Sequence, residues 1–232
     1  MTDIHQHVLY GMDDGPETPE QMYAMLENDV REGITLVYAT VHADALLRSK
    51  GIARYTERLN EANAYCESKG LPLRLVKGCE IRYFDSVPDL LSNRKLLNLD
   101  ASRYVLVEFD YDVTPERIGK ASDALYSAGF FPVVAHVERY ANLVRDPERA
   151  MRLREQFDLK YQVNSRSVLN PHGFRKRRFL RKLLESRSID VLATDAHDIV
   201  SRPAQLKAAY EKISADYGET YANYLTHFDN RV

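Results

Sequence analysis

The sequence predicts an α/β fold built on a parallel sheet. Three observations point to it. Short runs rich in Val, Leu, Ile, Tyr and Phe alternate with helix-patterned segments along the whole chain, as repeated βα units do. Several of those segments carry helix start and stop residues where a helix needs them. The polar residues at the ends of the apolar runs are of a narrow kind: His, Asp and Glu. Sites in parallel α/β folds gather at the C-terminal ends of strands, so the third observation bears on fold and chemistry together. Periodicity does not separate an open sheet from a closed barrel.

The first strand is expected over 2–7. It carries His5 and His7 at i, i+2, which a strand projects to one side. Two imidazoles side by side are half a metal site. The segment after it reads Asp13-Asp14-Gly15-Pro16. Met22, Met25, Leu26 and Val30 then recur at helical spacing, and Gly33 stops that helix. The second strand, 35–40, runs into Val41-His42. Leu59, Ala62, Ala64 and Cys66 give a looser helical stripe ended by Gly70. The third strand, 73–81, ends in Gly78-Cys79-Glu80, and the fourth, 104–109, in Glu108-Phe109. Thr114-Pro115 opens a helix as N-cap and first residue, Ile118, Ala121 and Leu125 form its stripe, and Gly129 closes it. The fifth strand, 131–136, ends on His136, and Asp146-Pro147 opens the next helix in the same way. The sixth, 160–164, ends on Gln162-Val163-Asn164, followed by a helix over 171–187. The seventh, 190–194, ends in Thr194-Asp195-Ala196-His197, followed by a helix over 201–217.

Six of these seven strand ends present His, Asp or Glu, and five of the seven histidines belong to the set. Merely solvated strand ends would mix in Lys, Arg, Ser and Thr. The pattern therefore reads as a metal site of N and O donors. Such donors suit Mn, Fe, Mg or Zn rather than soft-metal chemistry.

Composition narrows the remaining classes. The chain has 232 residues, 44% of them hydrophobic, and no linker or repeat, so a single domain over 1–232 is expected. A net charge of −2 gives no general attraction to nucleic acid or to membranes. Two cysteines, Cys66 and Cys79, fit a reducing compartment better than a disulfide framework. No apolar run of about 18 residues is present, and no leader pattern precedes His5, so a cytoplasmic protein is expected. Neither cysteine starts a Cys-x5-Arg loop, since Pro72 and Asp85 stand at the sixth positions after them. A thiolate phosphatase is thereby excluded. The absence of Gly-x4-Gly-Lys-[Ser/Thr] excludes a nucleotide kinase of the P-loop kind. Cys79 beside Glu80 reads as a small buried residue.

Taken in order, these motifs carry a resemblance. Residues 3–7 and 13–16, Ala39-Thr40-Val41-His42, Gly78-Cys79-Glu80-Ile81-Arg82, Glu108-Phe109, His136-Val137-Glu138-Arg139-Tyr140, Gln162-Val163-Asn164 and Thr194-Asp195-Ala196-His197 are similar to the motifs of the polymerase-and-histidinol-phosphatase (PHP) metalloesterases. Within that family the chain most resembles the manganese-dependent bacterial protein-tyrosine phosphatases of capsule and exopolysaccharide loci. The resemblance implies a distorted (β/α)7 barrel of the PHP type with three metal ions, manganese first and Fe, Mg or Zn as substitutes. It implies that His5, His7, Glu80 and Asp195 hold one ion. Glu80, Glu108 and His136 would hold a second, with Glu80 bridging, and Asp14, His42 and His197 a third. It implies hydrolysis of phosphotyrosine by a metal-activated hydroxide, with a membrane-associated bacterial tyrosine kinase as the protein substrate. Arg139 and Arg202 match arginines of these phosphatases and are expected to grip phosphate as guanidinium forks do. The chain departs from the pattern at Val41, Ala43, Val137 and Thr194, which bears on loop shape and removes no expected ligand.

Several features stay open on sequence alone. Asp13 reads as a partner to a ligand or as an exposed turn acid, and Gln162 and Asn164 as site-orienting groups or strand-end hydrogen-bonders. The basic run from Arg175 to Lys182 reads as a solvated helix face or as a docking surface for acidic protein or anionic lipid. A phosphoesterase for a small molecule such as histidinol phosphate and a metal-bound regulatory protein of low turnover are the alternative functions. The oligomeric state is open.

Overall fold

The computed structural model describes residues 1–228. Seven strands, β1 (Thr2–Gln6), β2 (Leu36–His42), β3 (Arg74–Arg82), β4 (Tyr104–Glu108), β5 (Phe131–Val134), β6 (Lys160–Asn164) and β7 (Val191–Ala193), lie side by side in chain order, all parallel. The sheet then curls until its ends meet. Asp195 N–H donates to His5 O at 2.8 Å and His7 N–H to Ala196 O at 2.9 Å, just past the end of β7. The result is the seven-stranded barrel that the resemblance implied, with helices outside it.

The helices are α1 (Pro19–Arg31), α2 (Ala43–Leu47), α3 (Gly51–Lys69), α4 (Val87–Ser92), α5 (Pro115–Ser127), α6 (Ala141–Arg145), α7 (Pro147–Gln156), α8 (Ser165–Leu169), α9 (Phe174–Glu185), α10 (Leu206–Tyr217) and α11 (Glu219–Thr226). Capping sets many of their ends. Thr18 and Gln21 form a reciprocal capping box on α1, and the side chains of Thr114 and Asp146 cap α5 and α7. The helix expected from 171 begins at Phe174, because Gly173 at φ +78 is not helical. The one expected from 201 begins at Leu206, since Asp198 ties the preceding turn by accepting the N–H groups of Val200 and Arg202.

Strand alternation divides the core in two. The outward residues, among them Val37, Ala39, Val105, Val107 and Leu192, pack with helix residues such as Met22, Leu26, Ile118 and Phe179. The inward residues Ile4, Tyr38, Val76, Leu106, Val133 and Val191 fill the barrel floor. Further up the same inward faces the residues become polar: Tyr38 leads to His42, Val76 to Glu80, Leu106 to Glu108 and Val191 to Asp195. The barrel thus has a dry floor and a polar mouth at its C-terminal end.

Candidate metal centre

β1 delivers its two histidines by an irregularity. From Asp3 to Gln6 it advances three residues while β2 advances two, from Val37 to Ala39. The extra residue is a bulge of the kind that re-aims side chains. Ile4 stays in the floor, Gln6 points outward to bond Asp29 on α1 at 2.7 Å, and His5 and His7 both face the mouth. The seam beside them is fastened by Asp3, buried in the strand. Its carboxylate accepts the N–H groups of Thr194 and His5 at 3.1 and 3.2 Å and the Thr194 hydroxyl at 2.5 Å. Thr194, the departure from the usual Ser, supplies that hydroxyl just as Ser would.

Glu80 occupies the middle of the mouth. Its Oε1 lies 3.2 Å from His5 Nε2 and 2.9 Å from His136 Nε2. Its Oε2 lies 3.2 Å from His7 Nε2 and 3.2 Å from His42 Nδ1. Asp195 Oδ1 is 3.5 Å from His5 Nε2 and 3.7 Å from His7 Nε2. Asp14 Oδ1 is 3.4 Å from His42 Nε2 and 3.2 Å from His197 Nε2. Glu108 reaches His42 Nδ1 at 3.8 Å and His136 Nε2 at 3.7 Å. All nine residues expected as ligands therefore converge. Four subsets have ligand atoms within 4.8 Å of one another: His7, Asp14, His42 and His197; His5, His7 and Glu80; His5, His136 and Asp195; and His42, Glu80 and Glu108. Of the expected sets only Asp14, His42 and His197 recurs whole, with His7 added; His136 groups with His5 and Asp195 rather than with Glu80 and Glu108, beside which His42 stands instead.

Outer hydrogen bonds fix which nitrogen of each ring faces in. Gln162 Oε1 accepts the His136 N–H at 2.8 Å and faces His5 Nδ1 at 3.1 Å, so the His5 proton sits on Nδ1. His7 Nδ1 is 2.7 Å from Asp13 Oδ2, and His197 Nδ1 is 3.0 Å from the Asp195 carbonyl. In these arrangements the Nε2 atoms of all three point into the mouth. His5 Nε2 and His7 Nε2 face one another at 3.4 Å. Two lone pairs facing at that distance, ringed by carboxylates and free of thiolate, fit a hard or borderline divalent cation. Asp13 is thus a partner to a ligand: it also accepts the His42 N–H at 2.8 Å and the Gly15 N–H at 3.1 Å. A Cβ on Gly15 would lie 2.3 Å from the His7 carbonyl oxygen, so this turn requires glycine. Gln162 and Asn164 likewise orient the site. Gln162 Nε2 donates to Asn164 Oδ1 at 2.8 Å, and Asn164 Nδ2 donates to Asp195 Oδ2 at 2.8 Å.

The charges in the mouth are strongly coupled to one another. Burial works against a charge on His7, but Asp13 and Glu80 overcome it and raise its pKa to about 10. Burial would raise Glu80, yet His5 and the hydrogen bonds from His136, His5 and His7 hold it well below the usual carboxylate range. Burial, and next the Glu80 charge, push Glu108 up to about 7. Burial, with the His7 and Arg202 charges, brings His197 down to about 4, favouring the neutral imidazole that ligates metals. Two of the expected ligands, His136 at φ +31 and Asp195 at φ +54, stand in the left-handed region, as do Lys50, Arg94, Asp100, Asp158 and Arg187 away from the mouth.

Arg139 and Arg202 flank the mouth, partly exposed. Both guanidiniums touch Asp195, Arg139 through Oδ2 and Arg202 through Oδ1 at 3.0 Å. Both cysteines lie buried elsewhere. Burial pushes the Cys66 thiol up to about 11 and the Cys79 thiol up to about 12, and Cys79 S–H donates to Leu97 O at 3.0 Å. Both pack in the apolar core between sheet and helices. Beside Glu108, His136 and Arg139 opens a cleft of about 700 Å³. It is walled by Phe109 and Tyr140, whose hydroxyl accepts the Phe109 N–H at 3.1 Å.

Residues 1–231 match the family model described as capsular polysaccharide synthesis, CpsB/CapC. The chain belongs to the CpsB/CapC family. It is 31% identical over 221 residues to CapC of Staphylococcus aureus, covering 94% of this chain and 86% of that one. It is 30% identical over 232 residues to the tyrosine-protein phosphatase CpsB of Streptococcus pneumoniae, covering 97% and 94%. The crystal structures of YwqE from Bacillus subtilis and CpsB from Streptococcus pneumoniae, described as unique metal-dependent tyrosine phosphatases, include a chain that matches this CpsB/CapC member with a TM-score of 0.87. Identity there is 27%, and the match covers 100% of this chain and 97% of the other. The histidinol phosphate phosphatase of Lactococcus lactis shares the fold, with a TM-score of 0.57 at 13% identity over 97% of this chain and 94% of that one. Among the described residues no helix is long and apolar enough to cross a membrane.

Proposed function

We propose that this chain is a metal-dependent protein-tyrosine phosphatase. The observation that carries the reading is the mouth itself: nine N- and O-donor residues gathered together, four of their imidazoles meeting at the buried Glu80 carboxylate, in a chain of the CpsB/CapC family. His5, His7, Glu80 and Asp195 would hold one ion. Glu80, Glu108 and His136 would hold a second, and Asp14, His42 and His197 a third. Manganese is the proposed metal, because carboxylates beside imidazoles favour it over softer ions. When bound, such ions clamp phosphate oxygens, offset the charge that develops on them and make water acidic enough to supply a nucleophile near neutral pH.

The chain's own groups do the rest. Arg139 and Arg202 stand where a phosphate entering the mouth would meet two guanidiniums, each able to turn from Asp195 to a phosphoryl oxygen. The cleft beside Glu108 takes the aromatic ring of the leaving tyrosine. That phenol has a pKa near ~10, so it leaves with little protonation. The physiological substrate is proposed to be a membrane-associated bacterial tyrosine kinase of a capsule or exopolysaccharide system.

Turnover of phosphotyrosine peptide, phosphoserine peptide and histidinol phosphate, compared with Mn present, tests the reading. Phosphotyrosine should be preferred. The Arg139→Ala and Arg202→Ala variants should each lose about 10- to 150-fold in kcat/KM on it, the worth of one charged hydrogen bond. Preference for histidinol phosphate would instead assign a small-molecule esterase.

A further inference from the structure

The basic run at 175–182 is two different surfaces. Further along α9, Arg178 and Lys182 lie 3.7 and 3.8 Å from Glu148, and Arg181 lies 3.8 Å from Glu185. Those charges are answered within the chain. Arg175 and Lys176, in the first turn of α9, are not: they line the cleft beside the metal centre, together with Arg145 from α6. None of these three forms an ion pair among the described residues.

Their position runs against helix electrostatics. A helix N-terminus is its positive end and favours Asp or Glu. The first turn of α9 has no acidic residue and no side-chain cap, yet it carries Arg175 and Lys176. Positive charge is thus concentrated where the helix itself disfavours it, and such local conflict marks function rather than stability. The apolar contribution points the same way. Phe174 and Tyr111, at the same cleft, are 79% and 72% exposed, large aromatic surfaces with little of the protein packed on them.

We infer that this cleft is a substrate subsite that selects acidic residues flanking the phosphotyrosine, with Arg145, Arg175 and Lys176 as specificity-determining residues. The inference rests on the phosphatase reading above. The cleft begins at Glu108, His136 and Arg139, so a phosphotyrosine whose phosphate lies in the mouth runs its ring past Phe109 and Tyr140. The neighbouring peptide residues then come under the basic edge. Opposite charge on that stretch is attracted, and lysine there is repelled.

The test compares phosphotyrosine peptides with Glu, Ala or Lys at the flanking positions, alongside p-nitrophenyl phosphate, which has no flanks. The wild-type protein should prefer the Glu peptide over the Lys peptide by about ten-fold or more in kcat/KM, and the preference should shrink as salt rises. The Arg175→Glu, Lys176→Glu double variant should lose about ten-fold on the Glu peptide, roughly 1.4 kcal/mol. It should gain on the Lys peptide and hydrolyse p-nitrophenyl phosphate within about two-fold of wild type, which also reports intact folding. Anisotropy of a labelled Glu peptide should show the same weakening of binding. Equal turnover of the three peptides by wild type, or a uniform loss on every substrate in the variant, would overturn the subsite while leaving the phosphatase reading in place. Failure to hydrolyse any phosphotyrosine substrate would overturn both.

Discussion

Three of the inward histidines are held from behind: His5 by Gln162, His7 by Asp13 and His197 by a main-chain carbonyl, while His136 Nδ1 is buried without a partner. Such partners set which ring nitrogen faces the mouth, and loss of one commonly weakens metal affinity ~10- to 100-fold. Glu80 differs from the rest because both its oxygens meet two imidazoles each. That asymmetry sets a prediction for single residues. Glu80→Ala should remove more bound metal than His42→Ala, because Glu80 is proposed to be shared between ions and the half-buried His42 to serve the outer one. Elemental analysis of purified variants reads this directly, and equal metal content in the two would reject the bridging role.

At the scale of elements, β1 and α1 form a second buried polar unit. Gln6 Nε2 donates to Asp29 Oδ1, while Asp29 Oδ2 and Gln6 Oε1 are buried without partners. Burial raises the Asp29 carboxyl well above its ordinary value; the Gln6 bond opposes this and Asp3 and Glu32 add to it. A retained proton leaves that buried carboxyl neutral and gives it a donor of its own. The folded chain then binds this proton more tightly than the unfolded chain. Its contribution to stability is complete below the unfolded carboxyl value, near ~3.9, and is lost as pH rises toward the raised folded value, by at most about 1.4 kcal/mol per pH unit. Asp29→Asn keeps the donor at every pH. Denaturant midpoints at pH 5 and pH 8 should show the variant's advantage over wild type growing with pH. Metal effects cancel in that difference, and a constant gap would refute the retained proton.

The same elements show what a sequence can and cannot disclose. The strands are legible because their apolar runs mostly end in His, Asp or Glu, α1 because Met22, Met25, Leu26 and Val30 recur at helical spacing, and α5 and α7 because Thr114 and Asp146 stand before proline-led helical patterns. The helices α2, α4, α6 and α8 have five or six residues each, too short to display a period. The bulge in β1 left no mark, since an extra residue changes which way His5 faces but not the composition of the run. Asp3 clasps β1 to the residue after β7, and an acid inside a buried strand is the one sequence signal of that role. The division of α9 into a paired and an unpaired basic surface depends on Glu148, which is distant in sequence.

For the whole molecule, the barrel separates stability from chemistry. The floor and the helical shell hold the apolar mass, while the mouth gathers imidazoles and carboxylates and sets the Glu80 charge against Glu108 in mutual repulsion. Metal ions relieve that repulsion, so the central claim is that phosphotyrosine hydrolysis depends on N and O ligands and on neither thiol. The most direct measurement is turnover of phosphotyrosine peptide by the wild-type protein and by the Cys66→Ser, Cys79→Ser double variant, each assayed as purified, after chelation and after return of Mn. Both proteins should lose turnover on chelation and regain most of it with Mn. Turnover that survives chelation, or that vanishes in the folded double variant, would contradict the account.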